Sequence, residues 1–160
     1  MSKYYIAYGS NLNKDQMKYR CPDAKLVGTG SIPNYQLLFR GGENAVATIE
    51  PLKGESVQFG LWEISERDEK SLDRYEGFPR LYYKQSFPIK LNGKEAEAMA
   101  YIMDSSYVIG CPSKTYYQTI AQGYEDCHLD IDKLAQAANK CAEAFYIQRD
   151  MKMNMDMRMK

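Results

Sequence analysis

An asparagine-glycine pair between two alternating apolar runs is the feature of this 160-residue sequence that most restricts its fold. Asn92 and Gly93 separate residues 82–91 from residues 95–103. Both residue types adopt the positive φ angles of a two-residue turn, so the pair is the strongest short-range hairpin signal available. The sequence therefore predicts an antiparallel hairpin in the second half of the chain.

Strand and helix signals along the rest of the chain indicate an α+β fold. Strands are predicted at residues 3–8, 25–32, 35–39, 45–49 and 57–64, from β-branched, aromatic and alternating apolar residues. Helices are predicted after an Asn13 cap, over residues 65–75 between Ser65 and Gly77, and over residues 113–124 and 130–147. We expect one domain over residues 1–150, a small and mostly antiparallel β-barrel flanked by helices.

Charge balance limits the partners of the chain. It carries 21 Lys and Arg residues and 21 Asp and Glu residues, a formal net charge of zero. Proteins that bind nucleic acid without sequence preference, or anionic membranes, depend on basic surfaces. No run approaches the roughly 20 apolar residues of a spanning helix. We therefore expect no nucleic-acid partner and no membrane partner.

The cysteines and the single histidine limit the chemistry further. Cys21, Cys111, Cys127 and Cys141 are widely spaced, form no CxxC motif and follow no secretory leader. They are expected to be reduced thiols in a cytoplasmic protein. Any His-dependent triad or multi-His metal site would have to use His128. The expectation is an active site without a metal or other cofactor.

A small turn after the first predicted strand is the first candidate site. Residues 8–12 read Tyr-Gly-Ser-Asn-Leu. A strand that stops at a glycine-containing turn leaves backbone N–H groups pointing outward, and these can bind a carboxylate or a developing oxyanion. The structural alternative is an ordinary turn, because Gly, Ser and Asn are typical turn residues. A Ser10 nucleophile paired with His128 is a weaker alternative, because the GxSxG elbow is absent.

Glu76, at the end of the polar helix, is the second candidate. A carboxylate beside the negative end of a helix dipole is disfavoured in its charged form, which raises its pKa and suits a general base. The structural alternative is a solvated glutamate at a helix end.

Together these motifs resemble the γ-glutamylcyclotransferase family, including its AIG2-like and γ-glutamylamine cyclotransferase-like members. The resemblance rests on the Tyr8-Gly9-Ser10-Asn11-Leu12 turn and on Glu76-Gly77, and it extends over roughly residues 3–130. It implies a small β-barrel flanked by helices, with Glu76 as the catalytic acid/base. The substrate-binding residues that it implies are Tyr8, Gly9, Ser10, Asn11, Leu12, Tyr82 and Tyr117, with Tyr83 and Tyr116 as alternatives for the two tyrosines.

The implied reaction releases 5-oxoproline and a free amine or amino acid from a small γ-glutamyl amide. The α-amine of the substrate attacks its own γ-carbonyl, so neither an enzyme nucleophile nor a cofactor is required. Two alternatives remain open: a binding module for γ-glutamyl or amino-acid-like ligands, and removal of a γ-glutamyl protecting group from a biosynthetic intermediate. A homodimer is a further expectation.

Residues 151–160 form a Met-rich tail, in which every second residue from Met151 to Met159 is methionine. Period-two alternation predicts a strand that lays its thioether face on an apolar surface, either of its own barrel or of a neighbouring copy. A mobile C-terminus and capture of Cu(I) by the thioethers are the alternatives.

Overall fold

The computed structural model describes residues 3–159 and contains, over that range, five strands and four α-helices. They are β1 (Lys3–Ala7), α1 (Lys14–Arg20), β2 (Lys25–Arg40), β3 (Val46–Ile64), α2 (Glu66–Glu76), β4 (Tyr82–Leu91), β5 (Lys94–Met103), α3 (Lys114–Asp126) and α4 (Ile131–Arg158). A 3-10 turn, Ser10–Leu12, lies between β1 and α1.

The strands form one mostly antiparallel sheet in the order β2-β3-β1-β5-β4. Strand β1 occupies the centre, antiparallel to β3 and parallel to β5. The edge strands β2 and β4 approach one another, as two side-chain contacts show. The Tyr35 ring packs edge-to-face on Phe87, and the Tyr35 hydroxyl accepts a hydrogen bond from Gln85 at 3.1 Å. The sheet is therefore barrel-like without being closed. This arrangement confirms the expected α+β class.

The predicted hairpin is present as β4 and β5. Asn92 and Gly93 form its turn with φ angles of 52° and 78°, and Leu91 pairs with Lys94 across it. Helix α2 also begins and ends as expected. Ser65 and Asp68 form a capping box at its start, and Gly77 ends it in the left-handed conformation.

Strands β2 and β3 are longer than the sequence indicated. We predicted four separate strands here, but the structure joins them into two strands that pair along most of their length. The pairing shifts register between Pro33 and Tyr35, where Asn34 adopts a φ of 59°. Between the Pro33–Ser56 and Tyr35–Pro51 pairs, Asn34 alone stands opposite four residues of β3, residues 52–55. The pairing is interrupted at this irregularity and resumes on its far side, so β3 continues past Pro51, where we expected the strand to stop.

Helix α4 runs without a break through the Met-rich tail, so the expected strand is wrong for the described part of that tail. No Gly or Pro interrupts residues 131–158, and Met is a good helix former, so no local signal ends the helix. Leu134 and Cys141 are buried against the domain, whereas Met151 and Met157 are 61% and 72% exposed. Lys160, the last residue of the tail, lies outside the described residues.

Three further findings bear on function. No helix within residues 3–159 is both long and apolar enough to cross a bilayer. All four cysteines are free thiols, and three of them are buried. In the described part of the chain, no three His, Cys, Asp or Glu side chains are grouped as a metal site.

Candidate active site

The turn after β1 places two polar side chains beside the end of α2. The Leu12 and Asn13 N–H groups close this turn by donating to the Gly9 and Ser10 carbonyls at 3.0 Å. The backbone N–H groups of Ser10 and Asn11 lie outside those two bonds. Trp62 fixes the turn from below, since its indole N–H donates to the Asn11 carbonyl at 3.1 Å. Three hydrogen bonds therefore hold this 3-10 turn in place.

Glu76, the last residue of α2, faces this turn. The side-chain Nδ2 of Asn11 donates to Glu76 Oε1 at 3.4 Å and to the Tyr5 hydroxyl at 2.9 Å. Burial of the carboxyl group raises the pKa of Glu76 to about 7, and the positive charge of Arg20 opposes part of that rise. The direction matches the expectation from the sequence, and the main cause is burial. The carboxyl group can therefore both accept and donate a proton near neutral pH.

A cavity of about 200 Å³ opens above Glu76 and the turn. Its walls carry several tyrosines, and two of them hold the backbone of Ala47. The Tyr82 hydroxyl donates to the Ala47 carbonyl at 2.6 Å, and the Ala47 N–H donates to the Tyr116 hydroxyl oxygen at 3.0 Å. The hydroxyl hydrogen of Tyr116 is not used in that bond. Burial raises the pKa of both tyrosines, so they remain protonated near neutral pH.

Six of the eight residues expected at the site line this cavity: Tyr8, Gly9, Ser10, Asn11, Glu76 and Tyr82. Leu12 does not line it. Leu12 is fully buried beneath the turn, where it packs against Gly60 and Gly123.

Tyr117 does not line the cavity either, and the neighbouring Tyr116 does so instead. Successive helical residues point about 100° apart, and only the position nearer the turn faces the cavity. Tyr82 is buried at the cavity while Tyr83 is exposed, so Tyr82 is the site residue of that pair, as expected.

The structure does not bring Ser10 and His128 together in the cavity. His128 is an exposed residue with a φ of 58° beyond the end of α3. The Ser10 hydroxyl instead shares a hydrogen bond of 3.0 Å with the Tyr75 hydroxyl. A serine nucleophile activated by histidine is therefore not present at this site.

Four residues near the site were missed from the sequence: Tyr5, Tyr75, Tyr101 and Arg20. Tyr5 lies on β1 only three residues before the turn, and this closeness in the sequence was a usable signal. Tyr75 directly precedes Glu76, so the sequence also indicated that Tyr75 lies near the site. Tyr101 and Arg20 reach the site through the sheet order and the packing of α1, neither of which a local pattern reveals.

Comparisons with known proteins agree with this geometry. The family model "Gamma-glutamyl cyclotransferase, AIG2-like" matches residues 5–124. A γ-glutamylcyclotransferase from Homo sapiens is 27% identical over 139 residues, covering 80% of this chain and 73% of that protein. One from Mus musculus is 28% identical over 133 residues, covering 76% and 70%.

A solved structure of a γ-glutamyl cyclotransferase superposes with a TM-score of 0.76 at 25% identity, covering 86% of both chains. The family model, these relatives and this fold agree with the resemblance carried by the turn at residues 8–12 and by Glu76. The chain therefore belongs to the γ-glutamyl cyclotransferase, AIG2-like family.

Proposed function

We propose that this chain is a γ-glutamylcyclotransferase that converts a small γ-glutamyl amide into 5-oxoproline and a free amine. The observation that carries the proposal is the Glu76 carboxyl group, buried beside the turn at residues 8–12 and held by Asn11 at 3.4 Å. The family match over residues 5–124 supports the same reaction.

Glu76 serves as the general acid/base in this proposal. Its carboxylate takes a proton from the α-ammonium of the substrate, and the freed amine attacks the γ-carbonyl carbon to form the five-membered lactam. The bond between that carbon and the leaving nitrogen then breaks as Glu76 returns this proton to the departing amine. The attacking nitrogen gives up its second proton to the carboxylate so released, which passes it to the free amine or to water, and the lactam nitrogen keeps one hydrogen. A pKa of about 7 suits both transfers. No cofactor takes part, because the substrate supplies its own nucleophile.

The rest of the cavity folds the substrate onto itself, which is where intramolecular proximity contributes most to the rate. The backbone N–H groups of Ser10 and Asn11 would bind the α-carboxylate or the developing oxyanion. Tyr8, Tyr82 and Tyr116 supply the surrounding wall. A volume of about 200 Å³ suits the γ-glutamyl part alone, so the leaving amine would extend toward the opening.

A product assay for 5-oxoproline across a panel of γ-glutamyl amides tests the proposal and identifies the leaving amine. The panel includes γ-glutamyl amino acids, γ-glutamyl amines and a γ-glutamyl-protected intermediate. Saturable release of 5-oxoproline from at least one member is expected. Tight binding of these compounds without any product would instead indicate the non-catalytic binding module.

Two finer expectations belong to the same proposal. The exposed methionines of α4 give a second copy of the chain an apolar surface, which fits a homodimer. The free thiols fit a cytoplasmic location. Light scattering of the purified chain and localisation of a tagged copy test them.

A further inference from the structure

Arg20, the last residue of α1, is a cation that contacts two residues of the site, Asn11 and Tyr75. Its Nη1 donates to the Asn11 side-chain oxygen, and its Nη2 donates to Gln16 Oε1 at 2.9 Å. Its guanidinium carbon lies 3.3 Å from the centroid of the Tyr75 ring. Arg20 is half-buried, whereas Tyr19 beside it is 90% exposed. Three partners on three sides therefore fix the guanidinium.

The hydrogen bond from Arg20 sets the orientation of the Asn11 side-chain amide. An amide has one acceptor end and one donor end, and a guanidinium only donates. With its oxygen turned to Arg20, Asn11 presents both N–H groups to Tyr5 and Glu76. The reversed amide would place its oxygen against the Glu76 carboxylate, where two acceptors repel one another. Asn11 is 2% exposed, so water does not compensate for a reversed amide.

We infer that Arg20 is a positioning residue that acts through Asn11. It orients the Asn11 amide, which holds Glu76 Oε1 and leaves Oε2 to exchange protons with the substrate. This inference rests on the proposed cyclotransferase function, in which Glu76 moves the proton.

The positive charge of Arg20 also acts on Glu76 directly, by lowering the pKa of its carboxyl group. The titratable groups that face Glu76 are Arg20 from α1, Tyr5 and Tyr8 from β1 and its turn, Tyr82 from β4 and Tyr116 from α3. Burial raises the pKa of all four tyrosines, so they stay neutral around pH 7. Arg20 is the charged group of this set, and it favours the carboxylate form of Glu76.

The experiment measures the pH profiles of kcat and kcat/KM for Arg20→Met and Arg20→Lys. Arg20→Met should lower kcat about tenfold, the size of a hydrogen bond to a charged group. It should also move the acid limb of kcat/KM to higher pH. Arg20→Lys keeps the charge but not the three-sided contact, so it should restore the acid limb and only part of kcat. Arg74→Met, which removes an exposed cation from α2, is the matched control and should behave like the wild type.

A double-mutant cycle with Asn11→Ala tests whether Arg20 acts through Asn11. If it does, Arg20→Met should have little further effect on kcat in the Asn11→Ala background. Additive losses, or an unmoved acid limb in Arg20→Met, would overturn the inference.

A measurement without turnover separates this inference from the proposed function. Carboxyl ¹³C NMR, with Glu76 assigned by the loss of its signal in Glu76→Gln, should show a higher Glu76 pKa in Arg20→Met than in the wild type. If no γ-glutamyl amide is turned over, the proposed reaction fails while this titration still tests the coupling. An unchanged Glu76 pKa overturns the inference even when the enzyme is active.

Discussion

Asn11 and Glu76 are 65 residues apart in the chain, and a hydrogen bond of 3.4 Å joins the Asn11 side chain to the Glu76 carboxyl group. Asn11 belongs to the turn that follows the central strand, and Glu76 is the last residue of α2. Because Asn11 is also held by Tyr5, Trp62 and Arg20, the position of the carboxyl group is set by a packed network. Substituting one residue of this network at a time should therefore change the activity or the pKa of Glu76 by a measurable amount.

Glu76→Gln should lower turnover at least 10²-fold, the usual contribution of an acid/base group, while preserving the fold and ligand binding. Gln keeps the size of the side chain and an oxygen that can accept from Asn11. Steady-state kinetics together with binding of 5-oxoproline separate the two effects. Glu66→Gln, at the exposed start of the same helix, is the control. Near-normal kcat in Glu76→Gln would contradict the mechanism and direct attention to Asp73.

The activity should rise with pH through a kinetic pKa near 7, because Glu76 must be deprotonated to accept the proton of the α-ammonium. The pH dependence of kcat/KM between pH 5 and pH 9 measures this limb. A limb near pH 4.5, the ordinary value for a glutamate, would show that burial does not govern this carboxyl group.

The free energy of unfolding should fall as pH rises, whereas the activity should rise. The folded chain binds the Glu76 proton with a pKa of about 7, against 4.5 for an ordinary glutamate, so this group's stabilising contribution is lost as pH rises from about 4.5 to 7. Above pH 7, Glu76→Gln should be more stable than the wild type, by up to roughly 3 kcal/mol. Urea unfolding at pH 4.5 and pH 8 measures the difference. Equal stabilities at pH 8 would contradict the assignment.

Gly9→Val should abolish binding of 5-oxoproline while melting remains cooperative. A Cβ atom at Gly9 would lie 3.2 Å from the Ala47 Cβ and 3.6 Å from the Tyr116 hydroxyl, so the valine methyl groups would enter the cavity. Calorimetric titration and a thermal melt measure the two properties. Gly28→Val, at a position with open space, is the control. If Gly9→Val simply unfolds, the turn is structural and loses its support as a binding element.

Tyr116→Phe should weaken binding or turnover about tenfold, because it removes a hydroxyl from the cavity and the acceptor of the Ala47 N–H. Tyr117→Phe is the matched control and should stay close to the wild type, since Tyr117 does not line the cavity. Kinetics of the two variants with one γ-glutamyl amide make the comparison. The reverse order of effects would restore the tyrosine first expected at the site.

Deletion of residues 151–160 should leave the activity and the fold of the single chain intact, and should abolish the homodimer that the α4 methionines are proposed to form. The methionines on this part of α4 are 56–72% exposed, Met159 beyond it is 85% exposed, and all of them add little to the packing of the domain. A lower melting temperature would show that the tail docks on its own domain. Loss of a dimer in light scattering would assign the methionines to an interface between copies.

Local patterns predicted those features in which neighbouring residues decide the conformation. Asn92-Gly93 specified the hairpin, and Ser65, Asp68 and Gly77 specified both ends of α2. The same local signals placed Gly9 and Asn11 in a turn and Glu76 at a helix end. The resemblance to the family then supplied the reason to consider those positions together.

Tertiary structure decided what no local pattern could. The order β2-β3-β1-β5-β4 puts β1 in the centre of the sheet, because pairing between distant strands follows from burial of their shared faces. That order brings Tyr101 to the site, and the packing of α1 brings Arg20. The choice of Tyr116 over Tyr117 depends on the rotation of α3 against the turn. The sequence by itself determined the turn, the helix that ends at Glu76 and the hairpin, whereas burial and the Asn11 contact arise only when these parts pack together.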